Sequence, residues 1–326
     1  MTRPRTPLAV FTYNRPGHTR RALDALSACA GLDDCAVTLY SDGARSESDA
    51  AGVAATRAVL RQWAGAHGAR VVERPENLGL ARSIVTGVSA ACAEHGRVIV
   101  LEDDLLVHPD FLRFMIGALD RYEDAPQVMQ VGGLTLSPPP EPGADAFLLP
   151  VTTTWGWATW QRAWQGFRWE PQDLDAARRD DAWLQRFGLH GAGAYLPMLE
   201  DRLAGRNDSW GILWWYAVSR AGGLVVYPSR NLVWNVGFDG SGTHCGEGDV
   251  LGLGPDGAAA AARLPATLRF PRADDLDPSH LARLEAFLRS RAASAAAITP
   301  GIAGGTRDRL AGAARRLMNR LRHARA

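Results

Sequence analysis

Through its first 122 residues the chain alternates short apolar runs with segments of helical spacing. Leu8–Tyr13 (LAVFTY) is closed by Asn14-Arg15-Pro16, and Val37–Tyr40 (VTLY) by Ser41-Asp42-Gly43. Ala69–Glu73 (ARVVE) and Arg97–Leu101 (RVIVL) follow. Residues 18–30, 48–67, Leu80–Glu94 and Phe111–Tyr122 have the spacing of helices. Apolar runs without polar alternation read as strands covered on both sides. Their βαβαβαβα order predicts an α/β fold: a mostly parallel central sheet with helices on both faces. In such sheets ligands sit beyond the carboxyl ends of the strands. The residues found there are Asn14 and Arg15, Asp42, Asn77, and the triplet Glu102-Asp103-Asp104.

Composition removes several kinds of chemistry. All 36 basic residues are arginine, and the chain has no lysine. That excludes P-loop phosphate binding, Schiff-base catalysis and ordinary protein-kinase chemistry, each of which needs a lysine. The formal net charge of +1 gives no bulk attraction to nucleic acid. The cysteines Cys29, Cys35, Cys92 and Cys245 form no CxxC and read as reduced thiols. The basic N-terminus loses its apolar character after six residues, so it reads as a strand rather than a signal peptide. The localisation expected from these features is cytoplasmic.

The strongest chemical signal is RVIVLEDDLLVHP, Arg97–Pro109, in which an apolar strand delivers three consecutive carboxylates to the ligand edge. Adjacent acids repel and lose hydration there unless a cation or hydrogen-bond donors compensate. Mg2+ or Mn2+ suits the task, taking one or two carboxylates and filling its other sites with phosphate oxygens and water. A solvated acidic turn is the plainer alternative. Arg15 has the planar fork that binds a diphosphate, and could equally serve a structural ion pair. Arg82, one turn into the third helix, is a second phosphate candidate near a helix N-terminus.

The segments PLAVFTYNRP, LYSDG, RPENLGLARS, VIVLEDDLLVHPDFL, TWGWATWQRAW and NLVWNVGFDGSGTH together resemble bacterial glycosyltransferases of the GT-A fold, family 2-like. The acidic stretch also resembles the metal motif of the eukaryotic Golgi N-acetylglucosaminyltransferase that starts complex N-glycans. The resemblance covers about residues 7–245. It implies a nucleotide-diphospho-sugar donor, with a UDP-sugar expected. It also implies a divalent cation, Mn2+ or Mg2+, and a glycan or lipid-linked acceptor in cell-envelope polysaccharide assembly. Asp104 would ligate the metal, while Glu102 and Asp103 would hold the ribose; the family's usual DxD is here Glu-Asp-Asp. Tyr13, Asn14 and Arg15 would form the nucleotide loop, and Asn77 would pack near the nucleotide. Asp42 would accept from the base, although Ser41-Asp42-Gly43 also fits an Asx turn. His244 would complete the metal shell or touch the diphosphate. Inversion needs one general base, and Asp208, ahead of an apolar helix, is the candidate. It could equally be that helix's N-cap. Glu200, Asp201 and Asp239 are its competitors.

Ten of the eleven tryptophans lie between Trp155 and Trp234. Trp155, Trp157 and Trp210 are read as lining the sugar or acceptor pocket, with Gly156 allowing close backbone approach to a ligand. The expected organisation is a nucleotide-sugar half over 1–136 and an acceptor half of the same domain over 137–255. A variable helical extension over 256–305 and a basic amphipathic tail over 306–326 would follow. In the tail Leu310, Ala314, Leu317 and Leu321 share one helical face among arginines, a pattern suited to an anionic membrane surface or to a solvated helix. Two rival functions are a non-catalytic carbohydrate-binding scaffold and a sugar-1-phosphate nucleotidyltransferase. The second uses a glycine-rich loop and lysine that this chain lacks.

Overall fold

Thr6–Thr12 (β1) is buried along its whole length, as an apolar run covered on both faces must be. The computed structural model describes residues 4–136, 145–237 and 263–297. After β1 come α1 (Pro16–Ser27), β2 (Cys35–Ser41), α2 (Ala50–His67), β3 (Arg70–Glu73), α3 (Gly79–His95) and β4 (Arg97–Glu102). A short strand β5 (Leu105–Val107), α4 (Phe111–Arg121), β6 (Val128–Gly132), β7 (Ala146–Leu149) and β8 (Trp157–Trp160) follow. Four short helices come next: α5 (Gln161–Trp164), α6 (Leu174–Ala177), α7 (Asp181–Phe187) and α8 (Tyr195–Leu203). They lead to α9 (Trp210–Arg220), β9 (Leu224–Pro228), β10 (Val233–Asn235) and α10 (Pro278–Ala297).

Eight strands form one sheet in the order β3-β2-β1-β4-β8-β6-β9-β7. β3, β2, β1 and β4 are parallel. β8 enters antiparallel between β4 and β6, β9 returns parallel to β6, and β7 closes the edge antiparallel to β9. The period-two alternation divides the core. Leu8, Val10, Ile99 and Leu101 pack with Leu23 of α1, Leu60 of α2 and Met115 of α4. Ala9, Phe11, Val98 and Val100 pack on the other face with Ile84 of α3, Trp214 of α9 and Leu284 of α10. The sheet is therefore mostly parallel and sandwiched between helices, as the element order predicts, and α10 supplies part of the expected helical extension.

The direction of α9 matters for the site. Trp210 stacks on Trp157 with ring centroids 5.4 Å apart, and Trp157 pairs with Val100 and Gly132 towards the carboxyl ends of β4 and β6. One turn on, the Trp214 Nε1–H donates to Gln130 Oε1 at 2.6 Å. The chain then enters β9, where Leu224 pairs with Val128 at the start of β6. α9 thus runs against the parallel strands, and its N-terminus lies at their carboxyl edge.

Cys29, Cys35 and Cys92 are buried free thiols. Burial pushes each up to about 12, which leaves them poor nucleophiles. Among the described residues no helix is long and apolar enough to cross a membrane. Asp239, His244, Cys245 and the whole 306–326 tail lie outside the described residues.

Candidate functional site

Strand β4 ends at Glu102, and the chain turns at once through Asp103 and Asp104 into β5. β5 cannot join the main sheet; it pairs antiparallel with β10, Leu105 opposite Asn235. That pairing lays residues 235–237 beside the acids. The Val236 N–H donates to the Asp104 carbonyl at 2.8 Å, and a Cβ on Gly237 would stand 2.8 Å from Asp104 Oδ2. A side chain there would have to push the Asp104 carboxylate aside, so Gly237 lets the loop lie against it undisturbed.

β1 runs parallel to β4, which places the β1–α1 loop beside the same turn. The Arg15 guanidinium contacts Asp103 Oδ1 and, at 3.0 Å, Asp104 Oδ2, both through Nη2. The Tyr13 N–H donates to Asp103 Oδ2 at 3.3 Å. Asp103 is 4% exposed. Its burial pushes the carboxyl up while the Arg15 charge pulls against that. Burial also works against the guanidinium charge of Arg15, but Asp103 and Asp104 outweigh it and the arginine is held more firmly protonated. The Asp104 side chain retains 13% exposure. Glu102 is half-buried at the strand end.

These positions fit a hard divalent cation. The guanidinium shows that oxygens of Asp103 and Asp104 can address a single positive centre, and carboxylate oxygen is the donor such ions prefer. Among the described residues no group of three or more His, Cys, Asp or Glu side chains stands ready to cage a metal. Two carboxylates with the remaining positions left to phosphate and water match how Mg2+ is ordinarily held.

The rest of the β1–α1 loop is braced by residues that the sequence did not single out. The Tyr13 hydroxyl donates to Asp49 Oδ2 at 2.8 Å and accepts from the Arg45 N–H at 2.9 Å. The Asn14 amide donates to Asp49 Oδ1 at 3.0 Å. The Tyr13 hydroxyl is the main reason Asp49 stays below the usual carboxylate range. Arg57 of α2 reaches the Arg74 carbonyl at 2.6 Å and the Ser41 hydroxyl at 3.2 Å, tying the β2 and β3 exits together. Nothing in the spacing of a helix marks one polar-face arginine as a brace, so this role was not legible.

Asp42 has a different setting from the one expected. Its Oδ1 accepts from the N–H groups of Gly43 (3.1 Å) and Leu78 (3.0 Å), and its Oδ2 from Leu78 (3.1 Å) and Gly79 (2.9 Å). The carboxylate caps α3 from another loop, satisfying N–H groups that a helix start leaves open. Asn77 likewise donates to the Gly43 carbonyl at 2.8 Å rather than standing open to a ligand. A Cβ on Gly43 would fall 2.4 Å from the Glu76 carbonyl carbon, so glycine is required where these loops meet. Asp42→Ala is therefore expected to cost about 1–3 kcal/mol of stability. A urea melt checks this; an unchanged midpoint would show that the cap contributes nothing. Arg82 is exposed, and its guanidinium has no partner among the described residues.

The tryptophans also differ from expectation. Trp157 and Trp210 are 0% and 1% exposed. They stack in a cluster with Trp164 and Trp214 between the sheet and α9, so in this conformation they are core rather than pocket lining. Trp155 is 8% exposed and belongs to the opposite core. Gly156 has φ of +56°, and a Cβ there would meet Val233 Cγ2 at 2.6 Å and Phe111 at 3.1 Å. Its close approach is to packed side chains, not to a ligand.

At the start of α9 the cap is Ser209, whose hydroxyl accepts from the Ile212 N–H at 3.4 Å. Asp208, one residue earlier, is exposed and is not the cap. Of its competitors, Glu200 accepts from Arg178 at 3.2 Å and Asp201 from Arg206 at 2.8 Å, and Asp208 is not without a partner either.

Residues 8–140 match the model of a family described as "Glycosyl transferase family 2". No curated protein matches. Among solved structures 98 chains match. The mannosyltransferase PcManGT from Pyrobaculum calidifontis, in complex with GDP-Man and Mn2+, is 17% identical. The match covers 68% of this chain and 74% of that one, at a TM-score of 0.38. GalNAc-T7 with UDP, GalNAc and Mn2+ is 11% identical over 72% of this chain and 44% of that one, at 0.44. S. aureus TarS is 13% identical over 39% of this chain, at 0.30, and the match spans 21% of TarS.

Proposed function

We propose that this chain, a GT-A-fold protein carrying a glycosyl transferase family 2 segment over residues 8–140, moves a sugar from a nucleoside diphosphate donor to an acceptor hydroxyl with a divalent cation. The observation that carries the reading is the meeting of Arg15, Asp103 and Asp104 at the carboxyl edge of β1 and β4, inside that segment.

In this reading Asp104 and Asp103 hold Mn2+ or Mg2+, which when bound offsets the charge that develops on the departing diphosphate. Arg15 supplies N–H donors to the same diphosphate, and exposed Arg82, one turn into α3, adds a second positive charge at that edge. Tyr13 and Asn14, braced by Asp49, fix the loop that the nucleotide meets. Asp208 takes the proton from the acceptor hydroxyl as that oxygen bonds to the anomeric carbon and the sugar–phosphate bond breaks on the opposite face. One displacement of this kind inverts the anomeric centre. The donor we favour is a UDP-sugar, and the acceptor a glycan or lipid-linked glycan of the cell envelope.

A thermal-shift screen of nucleoside diphosphates and their sugars, with and without Mn2+, tests the reading. At a ligand concentration of ~100 Kd, binding to the folded state alone adds roughly 2.7 kcal/mol, which is readily seen as a raised Tm. The expected result is one nucleotide class that stabilises the protein strongly only with the cation. A protein that ignores every nucleotide under both conditions would instead be a sugar-binding scaffold.

A further inference from the structure

Arg15 carries a charge that the proposed site can use in only one place at a time. Its Nη2 bridges Asp103 and Asp104, while among the described residues its Nε–H and Nη1–H groups have no hydrogen-bond partner. A guanidinium normally engages carboxylates through two parallel N–H bonds. Here one nitrogen serves two acids, and among the described residues the rest of the fork is unused. The backbone of Arg15 is fixed, because its carbonyl accepts from the Thr19 N–H at 3.0 Å and the Thr19 hydroxyl at 2.9 Å. The side chain keeps 22% exposure, so it can swing without moving the loop. It also stands at the N-terminus of α1, where anions are favoured.

We propose that Arg15 is the resident cation that a divalent ion must displace: it bridges Asp103 and Asp104 while the site is empty and passes to the donor's diphosphate when metal and nucleotide enter. The inference rests on the functional reading above and concerns how that site is regulated. A guanidinium and a divalent ion cannot share the same carboxylate oxygens, since two positive charges at contact distance repel strongly. Metal entering alone must expel Arg15 from both carboxylates with no diphosphate to receive it. Metal entering with a diphosphate releases Arg15 onto new acceptors and gains phosphate oxygens as ligands. Each ligand then raises the other's affinity by the same factor, as linkage requires. Two carboxylates without a third protein donor from the described residues suit this coupling, because they bind a bare cation weakly.

The test measures Mn2+ binding by the spin-resonance signal of the free aqueous ion, on the full chain. Wild type, Arg15→Gln and Arg15→Lys are each titrated alone and with UDP, or with GDP, CDP or ADP where UDP does not bind. Arg15→Gln is expected to bind Mn2+ alone roughly tenfold more tightly than wild type, and the enhancement by nucleotide should shrink by a similar factor. A merely structural arginine would not tighten the bare metal when removed. Bare Mn2+ affinity that is equal or weaker in a folded Arg15→Gln protein overturns the proposal. Should that variant fail to fold, Arg15→Lys decides. Its compact ammonium has no fork to divide between acids and diphosphate, so tighter bare-metal binding supports the exchange and wild-type values in both titrations overturn it. A wild type that binds none of the four nucleotides, with or without Mn2+, removes the functional reading itself, and the proposal with it.

Discussion

Asp104→Ala is expected to abolish sugar transfer while leaving a folded protein whose nucleotide binding no longer responds to Mn2+. The two acids of the turn carry different burdens. Asp103 is nearly sealed, and its oxygens are spent on Arg15 and the Tyr13 N–H. Asp104 retains exposure and gives a single oxygen to Arg15. Removing Asp104 still leaves Arg15 its contact with Asp103, so little of the fold depends on it. Removing Asp103 takes from Arg15 the more buried of its two acids and leaves the Tyr13 N–H without its acceptor, a loss worth about 1–3 kcal/mol. A divalent ion supplies several kcal/mol to a developing charge, and each 1.36 kcal/mol is tenfold in rate. Loss of Asp104 should therefore lower kcat/KM by roughly 10^3 or more, with a Tm close to wild type. Steady-state turnover and thermal melts of both alanine variants check the contrast. Turnover of wild-type size in Asp104→Ala would exclude the metal role, and a collapse of stability there equal to that in Asp103→Ala would make both acids structural.

The strands β1 to β4 and the helices between them are legible because apolar runs and helical spacing repeat without interruption there. Local punctuation fixes the ends: Gly68 and Gly96 close α2 and α3 at φ of +65° and +78°, backbone that favours glycine. What escapes the sequence is pairing at a distance. The union of β5 with β10 links residues just past the acids to residues near 235, and neither three-residue strand has a pattern long enough to announce it. Asp42 shows the same limit. Ser41-Asp42-Gly43 is legible as the punctuation that closes β2, but Asp42 accepts from the adjacent Gly43 N–H rather than forming an Asx turn, and the Leu78 and Gly79 donors come from the far end of another loop. The tryptophans fail for a third reason. Composition foretells an aromatic layer, yet α9 is covered on several sides, so Trp210, Trp214 and Trp215 are all buried and no helical face distinguishes a ligand wall from core. Arg15 and the acids are the opposite case. They follow parallel strands directly, so the βαβ order puts all of them at the carboxyl edge, and the sheet order β3-β2-β1-β4 then makes their two strands neighbours.

The same geometry predicts a turnover defect at Asp208 that spares the donor. α9 runs against the parallel strands, so its N-terminus stands on the carboxyl edge that holds the acidic turn. Ser209 provides the cap and leaves that duty off Asp208, while arginines engage Glu200 and Asp201. An exposed carboxylate just ahead of a helix that starts on this edge, and not that helix's cap, can accept a proton from an incoming hydroxyl; an amide in its place cannot. Asp208→Asn is thus expected to lower kcat by about 10^2–10^4-fold, the usual contribution of a positioned base. The Kd for nucleotide with Mn2+ should be unchanged, because the proposed mechanism gives Asp208 to the acceptor rather than to the diphosphate. The Tm should also hold, since Asp208 is exposed, Ser209 rather than Asp208 caps the helix, and asparagine keeps the shape of the side chain; such surface changes are ordinarily worth within ~0.5 kcal/mol. Calorimetric donor titration beside initial rates separates the outcomes. If donor affinity falls while the residual rate at saturation stays near wild type, Asp208 belongs to the donor pocket and the base lies elsewhere, with Asp239 the next residue to replace.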